Sequence, residues 1–290
     1  MKRLTRDHTV PCGKRYQVHE PAIEVELGET FVVETINFRT PVIRTPADAN
    51  PETYREREET GPIFVQGIAP GDVLAIEILN ITPEGHASGG SWDDSKTNSF
   101  LEISEGKVHF PGGLSAPVQM MIGDIYVTPS ALPAANPWDN GGNMDFKDVA
   151  SGNMLCLKAQ LEGGLLVLGD LHAAQGDGEI HGLGAECAGE VTLRITRDDT
   201  YLSERPLVAK PEGFVTIACR DDYSEARDLA AQDAAEVLSR LAGCTQKEAF
   251  LYVTTVGDLR NGAIWAMGRK EPGGKAGPPL VVGLDVPLPT

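Results

Sequence analysis

The densest group of residues able to do chemistry runs from Gly169 to Glu179 and reads Gly-Asp-Leu-His-Ala-Ala-Gln-Gly-Asp-Gly-Glu. Asp170 and His172 stand two positions apart at the end of the apolar run Leu165-Leu166-Val167-Leu168. Alternate side chains of a strand share a face, so this spacing predicts a carboxylate and an imidazole side by side. Such a pair can share a divalent cation, and zinc accepts both donors. The plain alternative is a turn that Asp170 caps and to which His172 donates. Gln175, Asp177 and Glu179 follow, with Gly176 and Gly178 flanking Asp177 and allowing backbone that other residues resist. Carboxylates crowded together repel unless a cation sits among them or one keeps its proton. Either condition suits hydrolysis: a metal lowers the pKa of bound water, and a protonated Glu can give its proton to a leaving amine. A calcium-stabilised or solvent-exposed acidic turn is the competing reading of this run.

A second group is Gly141-Gly142-Asn143-Met144-Asp145. Asp145 is a candidate further ligand or a partner that orients His172. Asn143 is a candidate donor to an amide oxygen. The same residues also make an ordinary turn. Cys187 follows Glu186, but Cys–Glu amidase chemistry needs a placed Lys that nothing here marks, so an inert buried thiol is the better reading. His86, His109 and His181 are isolated and read as structural. Gly-x-Ser-x-Gly, Ser-x-x-Lys, His-Glu-x-x-His and the phosphate-binding and dinucleotide fingerprints are all missing from the sequence.

These groups must be positioned by strands. Ile23 to Leu27 and Phe31 to Val33 read as two strands around a Gly28-Glu29 turn. Pro70-Gly71-Asp72 joins Ile63–Val65 to a strand whose Leu74, Ile76 and Ile78 face a core. Arg39–Thr60 and Glu84–Thr97 read as loops, the first long enough to suggest a functional role. Short strands are expected at 100–103, 107–110, 119–122, 125–127, 154–159, 165–168 and 190–196. Residues 224–241 carry apolar positions at helical spacing, with Ser224 as N-cap and Gly243 as stop. Thr245-Gln246-Lys247-Glu248 has the shape of a capping box opening a second helix to about Thr255. The expected fold is mainly β, sandwich- or barrel-like over residues 1–200, with a smaller α/β part over 201–290 packed as one compact unit.

The whole chain sets bounds on partners. Its 290 residues carry 42 acidic against 25 basic side chains, a formal charge of -17 that repels phosphate backbones and anionic lipid. Nucleic acid and membrane are therefore excluded as expected partners. No apolar run approaches the roughly 20 residues that span a bilayer, and the basic N-terminus lacks the apolar stretch of a signal peptide. Five widely spaced cysteines without a Cys-x-x-Cys point to a reducing, cytoplasmic setting.

The run Gly169–Glu179 resembles the signature of the acetamidase/formamidase family. Three further pieces agree in order: Gly61-Pro62-Ile63-Phe64-Val65 with Pro70-Gly71-Asp72-Val73-Leu74, then Gly142-Asn143-Met144-Asp145, then Gly257-Asp258-Leu259-Arg260. The resemblance covers nearly the whole chain. It implies hydrolysis of short linear amides to carboxylate and ammonia, a bound divalent metal with zinc ahead of calcium, a β-rich core with a smaller α/β part, and a homodimer or higher homo-oligomer. Some relatives open a γ-lactam. In that frame Asp170 and His172 hold the cation with Asp145 as third ligand. Glu179 and Asp177 become the catalytic candidates, with Glu179 moving the proton, and Asn143 and Gln175 steady the small neutral amide. The segments Gly85–Thr97 and Met121–Thr128 depart from the family pattern, which leaves the amide open. A lactamase or cyclic-amide hydrolase on the same site, and a non-catalytic β-sandwich binding a small ligand, are the alternatives.

Overall fold

The computed structural model describes residues 1–37, 45, 47, 58–90, 98–265, 267 and 279–289. Short β-branched runs separated by Gly, Pro and Asp turns produce strands β1 (Lys2–Leu4), β2 (Thr9–Pro11), β3 (Ile23–Glu26), β4 (Thr30–Thr35), β5 (Glu58–Gln66) and β6 (Val73–Gly90). The middle of the chain adds β7 (Asn98–Ser104), β8 (Lys107–Phe110), β9 (Leu114–Pro117), β10 (Met121–Val127), β11 (Gly141–Asn143) and β12 (Met154–Lys158). Then come β13 (Leu166–His172), β14 (Glu186–Arg197), β15 (Leu207–Lys210) and β16 (Gly213–Arg220). Helices α1 (Tyr223–Ala242) and α2 (Gln246–Val256) precede β17 (Asp258–Asn261) and β18 (Leu280–Pro287). The fold is mainly β, and both described α-helices lie in the C-terminal part.

Three details go beyond or depart from the sequence reading, each with an identifiable cause. Residues 84–90, expected in a loop, continue β6. They pair with β14 through Ala87↔Cys187 and Ser88↔Glu186, and with β7 through His86↔Glu102 and Ala87↔Leu101. Pairing on both edges overrides the poor strand propensity of Gly and Ser. The rest of that expected loop, 91–97, lies outside the described residues, as does most of the 39–60 loop; residues 58–60 open β5. The strands flanking Gly28 form, but they do not pair with each other. β3 runs parallel to β5, whereas β4 lies antiparallel to β14, and Gly28 N donates to Ile195 O of β14 at 2.7 Å. Helix α1 is capped by Asp222, whose Oδ1 accepts from Glu225 N at 2.9 Å, and not by Ser224. Gly243 ends it in the left-handed region at φ 64, and Thr245–Glu248 form the expected capping box.

The larger apolar core draws side chains from Leu4 to Val281, among them Ile63, Leu74, Ile125, Leu168 and Val191. A second cluster lies under α1, where Ala226, Ala230, Ala234 and Leu238 meet Phe214, Val282 and Val286 of β16 and β18. The smallness of the alanines lets α1 sit close enough for Thr216 Oγ1 to donate to Ala230 O at 2.7 Å. Strand β13 runs antiparallel between β10 and β14 at its C-terminal end. That end carries Asp170 and His172.

Candidate active site

Four carboxylates gather around one imidazole. β13 supplies Asp170 and His172, β14 supplies Glu186, the turn after β11 supplies Asp145, and the segment joining β13 to β14 supplies Glu179. The β13–β14 register sets Glu186 directly opposite His172, so both side chains leave the same face. His172 Nε2 lies 3.1 Å from Glu186 Oε2, 3.3 Å from Asp170 Oδ1 and 4.0 Å from Asp145 Oδ1. None of the five is more than 6% exposed. One ligand atom each from Asp145, Asp170 and His172 falls within 4.8 Å of the others, and the same holds for His172, Glu179 and Glu186.

The backbone is bent to achieve this. Asp145, Asp170 and Glu179 have φ values of 47, 56 and 39°, the left-handed region that L-residues rarely occupy. Three strained carboxylates at one centre fit the tendency of such backbone to collect at functional sites. Gly123 of β10 makes the close approach possible. A Cβ there would stand 2.7 Å from Asp145 Oδ1 and 2.8 Å from Asp170 O.

Hydrogen bonding fixes the imidazole. Gln175 Nε2 donates to Asp145 O at 2.6 Å, which turns Gln175 Oε1 towards His172 Nδ1 at 2.5 Å. An amide oxygen only accepts, so Nδ1 carries a proton and Nε2 points into the carboxylates. Asn143 Nδ2 donates to Asp145 Oδ2 at 2.5 Å. Both residues expected to steady substrate are thus bonded to the cluster itself; the free polar atom of Asn143 is its buried acceptor Oδ1, not a donor.

Electrostatics follow from burial. Burial and the neighbouring charge of Glu186 raise Asp170 to about 7, against the opposing pull of His172. Burial raises Glu179 to about 8, His172 opposes, and Glu186 and Asp170 add to the rise. Asp145 is pushed well above the carboxylate range by burial and by Glu179. Burial alone would hold the His172 imidazole down, but Glu186 and Asp170 win and raise it. Four buried acids around one imidazole form a site short of positive charge. Carboxylate oxygens with one imidazole nitrogen are a donor set that zinc accepts, and the carboxylates alone suit calcium. Asp145 Oδ1, buried and without a hydrogen-bond donor, adds a ligand atom with nothing else to do. The residues therefore fit a divalent cation.

Asp177 is not brought to this cluster. It is a third exposed and paired with Arg260 Nε at 2.7 Å and Lys147 Nζ at 3.0 Å. Slight burial raises its pKa, but the hydrogen bonds from Arg260 and Lys147 prevail and hold it below the usual range. Strained Glu179 and exposed Asp177 diverge because Gly178, at φ 92, turns the chain between them. Asp177, expected beside Glu179 as a catalytic candidate, thus lies apart from the cluster in an ion-pair network.

Sequence reasoning missed three groups. Glu186 was weighed only as a neighbour of Cys187. Strand alternation sends Cys187 to the opposite face, where burial raises its thiol; all five cysteines are free. Asp124 and Glu59, both fully buried, bracket Arg15: Arg15 Nη2 lies 2.6 Å from Asp124 Oδ2 and also bonds Glu59 Oε1. An available signal was the single acid within the otherwise apolar Met121–Val127 run, because a charge in a buried strand needs a partner.

Comparison with known proteins places this arrangement. The acetamidase/formamidase family model matches residues 126–210, which include Asp145, Asp170, His172, Glu179 and Glu186. A formamidase from Methylophilus methylotrophus is 36% identical over an alignment covering 59% of this chain and 60% of that protein. An acetamidase from Mycolicibacterium smegmatis is 26% identical, with 66% of each chain covered. The chain thus spans about three fifths to two thirds of the length of the curated relatives it matches. The crystal structure of an acetamidase from Bacillus halodurans superposes with a TM-score of 0.83 at 28% identity, covering 98% of this chain and 97% of that one. A structure described as a predicted acetamidase/formamidase from Thermoanaerobacter tengcongensis gives 0.84 at 29% identity, covering 99% and 95%. Signature residues, sequence and fold agree in their likeness to the acetamidase/formamidase family.

Proposed function

We propose that this chain hydrolyses linear carboxamides to carboxylate and ammonia at the Asp145–Asp170–His172–Glu179–Glu186 cluster, with a divalent metal held there. The observation that carries the reading is the gathering of four buried carboxylates around His172, three of them with an oxygen within 4.0 Å of Nε2. The names of the relatives, acetamidase and formamidase, support the reaction class. Asp145, Asp170 and His172 would hold the ion, with Glu186 across the imidazole from them, and zinc is preferred over calcium because an imidazole belongs to the set. A bound cation of this kind polarises a carbonyl and makes water a stronger nucleophile.

The side chains supply the rest. Gln175 keeps a proton on His172 Nδ1, so Nε2 is the nitrogen that would be offered to a held cation. Glu179, buried beside His172 and Glu186, is positioned to take a proton from the attacking water. As the water oxygen bonds to the carbonyl carbon and the C–N bond breaks, Glu179 passes that proton to the departing nitrogen. Near-complete burial keeps bulk water from these transfers. The proposal includes a cytoplasmic homo-oligomer: five free thiols suit a reducing compartment, and the exposed Phe250 and Leu251 of α2 suit a subunit contact. Among the described residues no helix is long and apolar enough to cross a membrane.

The test is ammonia release from formamide, acetamide and longer amides, with and without a chelator. Chelator-sensitive release supports the reading. Turnover of a lactam without ammonia release from any linear amide would move it to ring opening.

A further inference from the structure

Asp145 is held from a part of the chain far upstream of it. After the turn at Cys12–Lys14, the side chains of Arg15 and Tyr16 enter the interior against β10 and β11. Arg15 grips Asp124 of β10, the residue paired with Asn143 of β11. Tyr16 reaches β11 by a second route. Its hydroxyl donates to Asn136 Oδ1, and the same oxygen accepts from Asn143 N at 3.2 Å. Asn143 Nδ2 in turn donates to Asp145 Oδ2 at 2.5 Å. One line of hydrogen bonds thus runs from Tyr16 through Asn136 and Asn143 to Asp145. It settles which oxygen of Asp145 is left over. Asn143 occupies Oδ2, while buried Oδ1 has no hydrogen-bond donor among the described residues and lies 4.0 Å from His172 Nε2. Oδ1 is the atom offered to a cation, and its direction depends on where Asn143 stands.

The local backbone is shaped around this line of bonds. Tyr16 has a φ of 66°, a region uncommon for a bulky residue. Gly142 has a φ of 123°, and a Cβ there would collide with both Asn136 Oδ1 and the Tyr16 hydroxyl. Strained backbone of this kind persists where the surroundings over-determine a geometry, and it collects at functional sites. Packing alone would not call for the hydroxyl. The Tyr16 ring meets Tyr126 edge-on, with centroids 4.8 Å apart and planes at 78°. The Tyr126 hydroxyl is also buried but has no hydrogen-bond partner among the described residues. One hydroxyl of the pair is therefore bonded towards the cluster and the other is not.

We propose that Tyr16 is a positioning residue for the cation site, aiming Asp145 Oδ1 through Asn136 and Asn143. This role rests on the metal-holding part of the amidase reading and extends the site to the N-terminal turn. Zn²⁺ affinity of the full chain, measured by competition with a chromogenic chelator, tests it. Loss of an outer partner typically costs 10–100-fold in metal affinity, and Tyr16→Phe, which deletes only the hydroxyl, is expected to cost about tenfold. Asn136→Ala removes the shared acceptor at a half-buried position, should give a similar loss, and decides the role if Tyr16→Phe does not fold. Tyr126→Phe deletes the unbonded hydroxyl of the same ring pair and should stay within about twofold of the parent. In an Asp145→Ala background, Tyr16→Phe should cost no further affinity, because two residues on one path do not add. Co²⁺-loaded Tyr16→Phe should show a shifted visible absorption band, which reports ligand geometry and not fold stability. Parental Zn²⁺ affinity in Tyr16→Phe, an unshifted Co²⁺ band, an equal loss in Tyr126→Phe, or a full further loss in the Asp145→Ala background overturns the role. If the parent binds Zn²⁺ but releases ammonia from no amide, the amidase reading fails and the same affinity comparison still decides Tyr16. A parent that binds no Zn²⁺ overturns the metal site and the role of Tyr16 together.

Discussion

At the scale of residues, the account turns on how His172 is held. Its tautomer is set by Gln175, whose two amide ends are bonded to His172 and to the Asp145 carbonyl. Gln175→Leu keeps the size and removes both bonds. Loss of such an outer partner typically costs 10–100-fold in metal affinity, so competition with a chromogenic chelator should show weakening in that range. Unchanged affinity would separate Gln175 from the site. Asp177 offers the opposite case, since it lies in the Arg260–Lys147 network outside the cluster. Asp177→Asn is expected to alter amide turnover less than threefold. Its folded pKa is lowered, so its stabilisation is present above the unfolded value of about 3.9 and is lost as pH falls through the lower folded value. Urea unfolding of the parent and Asp177→Asn should therefore differ at pH 6 and converge as the pH approaches 2. The sequence made Asp170, His172 and Glu179 visible because they are adjacent in it. Glu186 was hidden because its placement depends on a strand register, and Asp177 lies apart from its chain neighbours because proximity along the chain is not proximity in space when glycines turn between.

At the scale of elements, β10 is the strand on which the site depends. Its Gly123 passes under Asp145 and Asp170, and no side chain fits there. Gly123→Ala forces backbone or carboxylates apart by several tenths of an ångström at least. The expected outcome is a folded protein with near-native circular dichroism that has lost most of its metal and at least tenfold in kcat/KM. Full metal content in that variant would show that the cluster tolerates rearrangement. Helix caps and turn glycines were legible beforehand because they act locally, as at Thr245–Glu248 and Gly243. Thr245→Ala breaks the α2 capping box and should lower stability by about 1 kcal/mol, read from the urea midpoint, with turnover little affected. Residues 84–90 were misjudged, and the pairing of the strands flanking Gly28 was not legible, because both are decided by partners distant in sequence, β14 above all.

At the scale of the whole molecule, strands from both ends of the chain enclose an acidic centre. The main core reaches from Leu4 to Val281, so the β13–β14 pair carrying the site is held by contacts distant in sequence. Such a frame can keep four mutually repelling carboxylates in place, because the cost of strain and desolvation is spread over a large apolar core. Mainly-β character was readable from turn chemistry and short apolar runs, and the proposed amide chemistry was suggested by a resemblance carried by the Gly169–Glu179 run. The hold of Tyr16 on Asp145 was not readable, since only the fold brings Tyr16, Asn136 and Asn143 together. The most direct measurement of the central claim is ammonia release by Glu179→Gln, a nearly isosteric change that removes the proton carrier, with metal content determined on the same sample. The account predicts a folded variant that keeps its metal and loses about 10²–10⁴-fold in kcat, the usual contribution of a positioned acid–base group. A metal-loaded Glu179→Gln enzyme with parental kcat would contradict it.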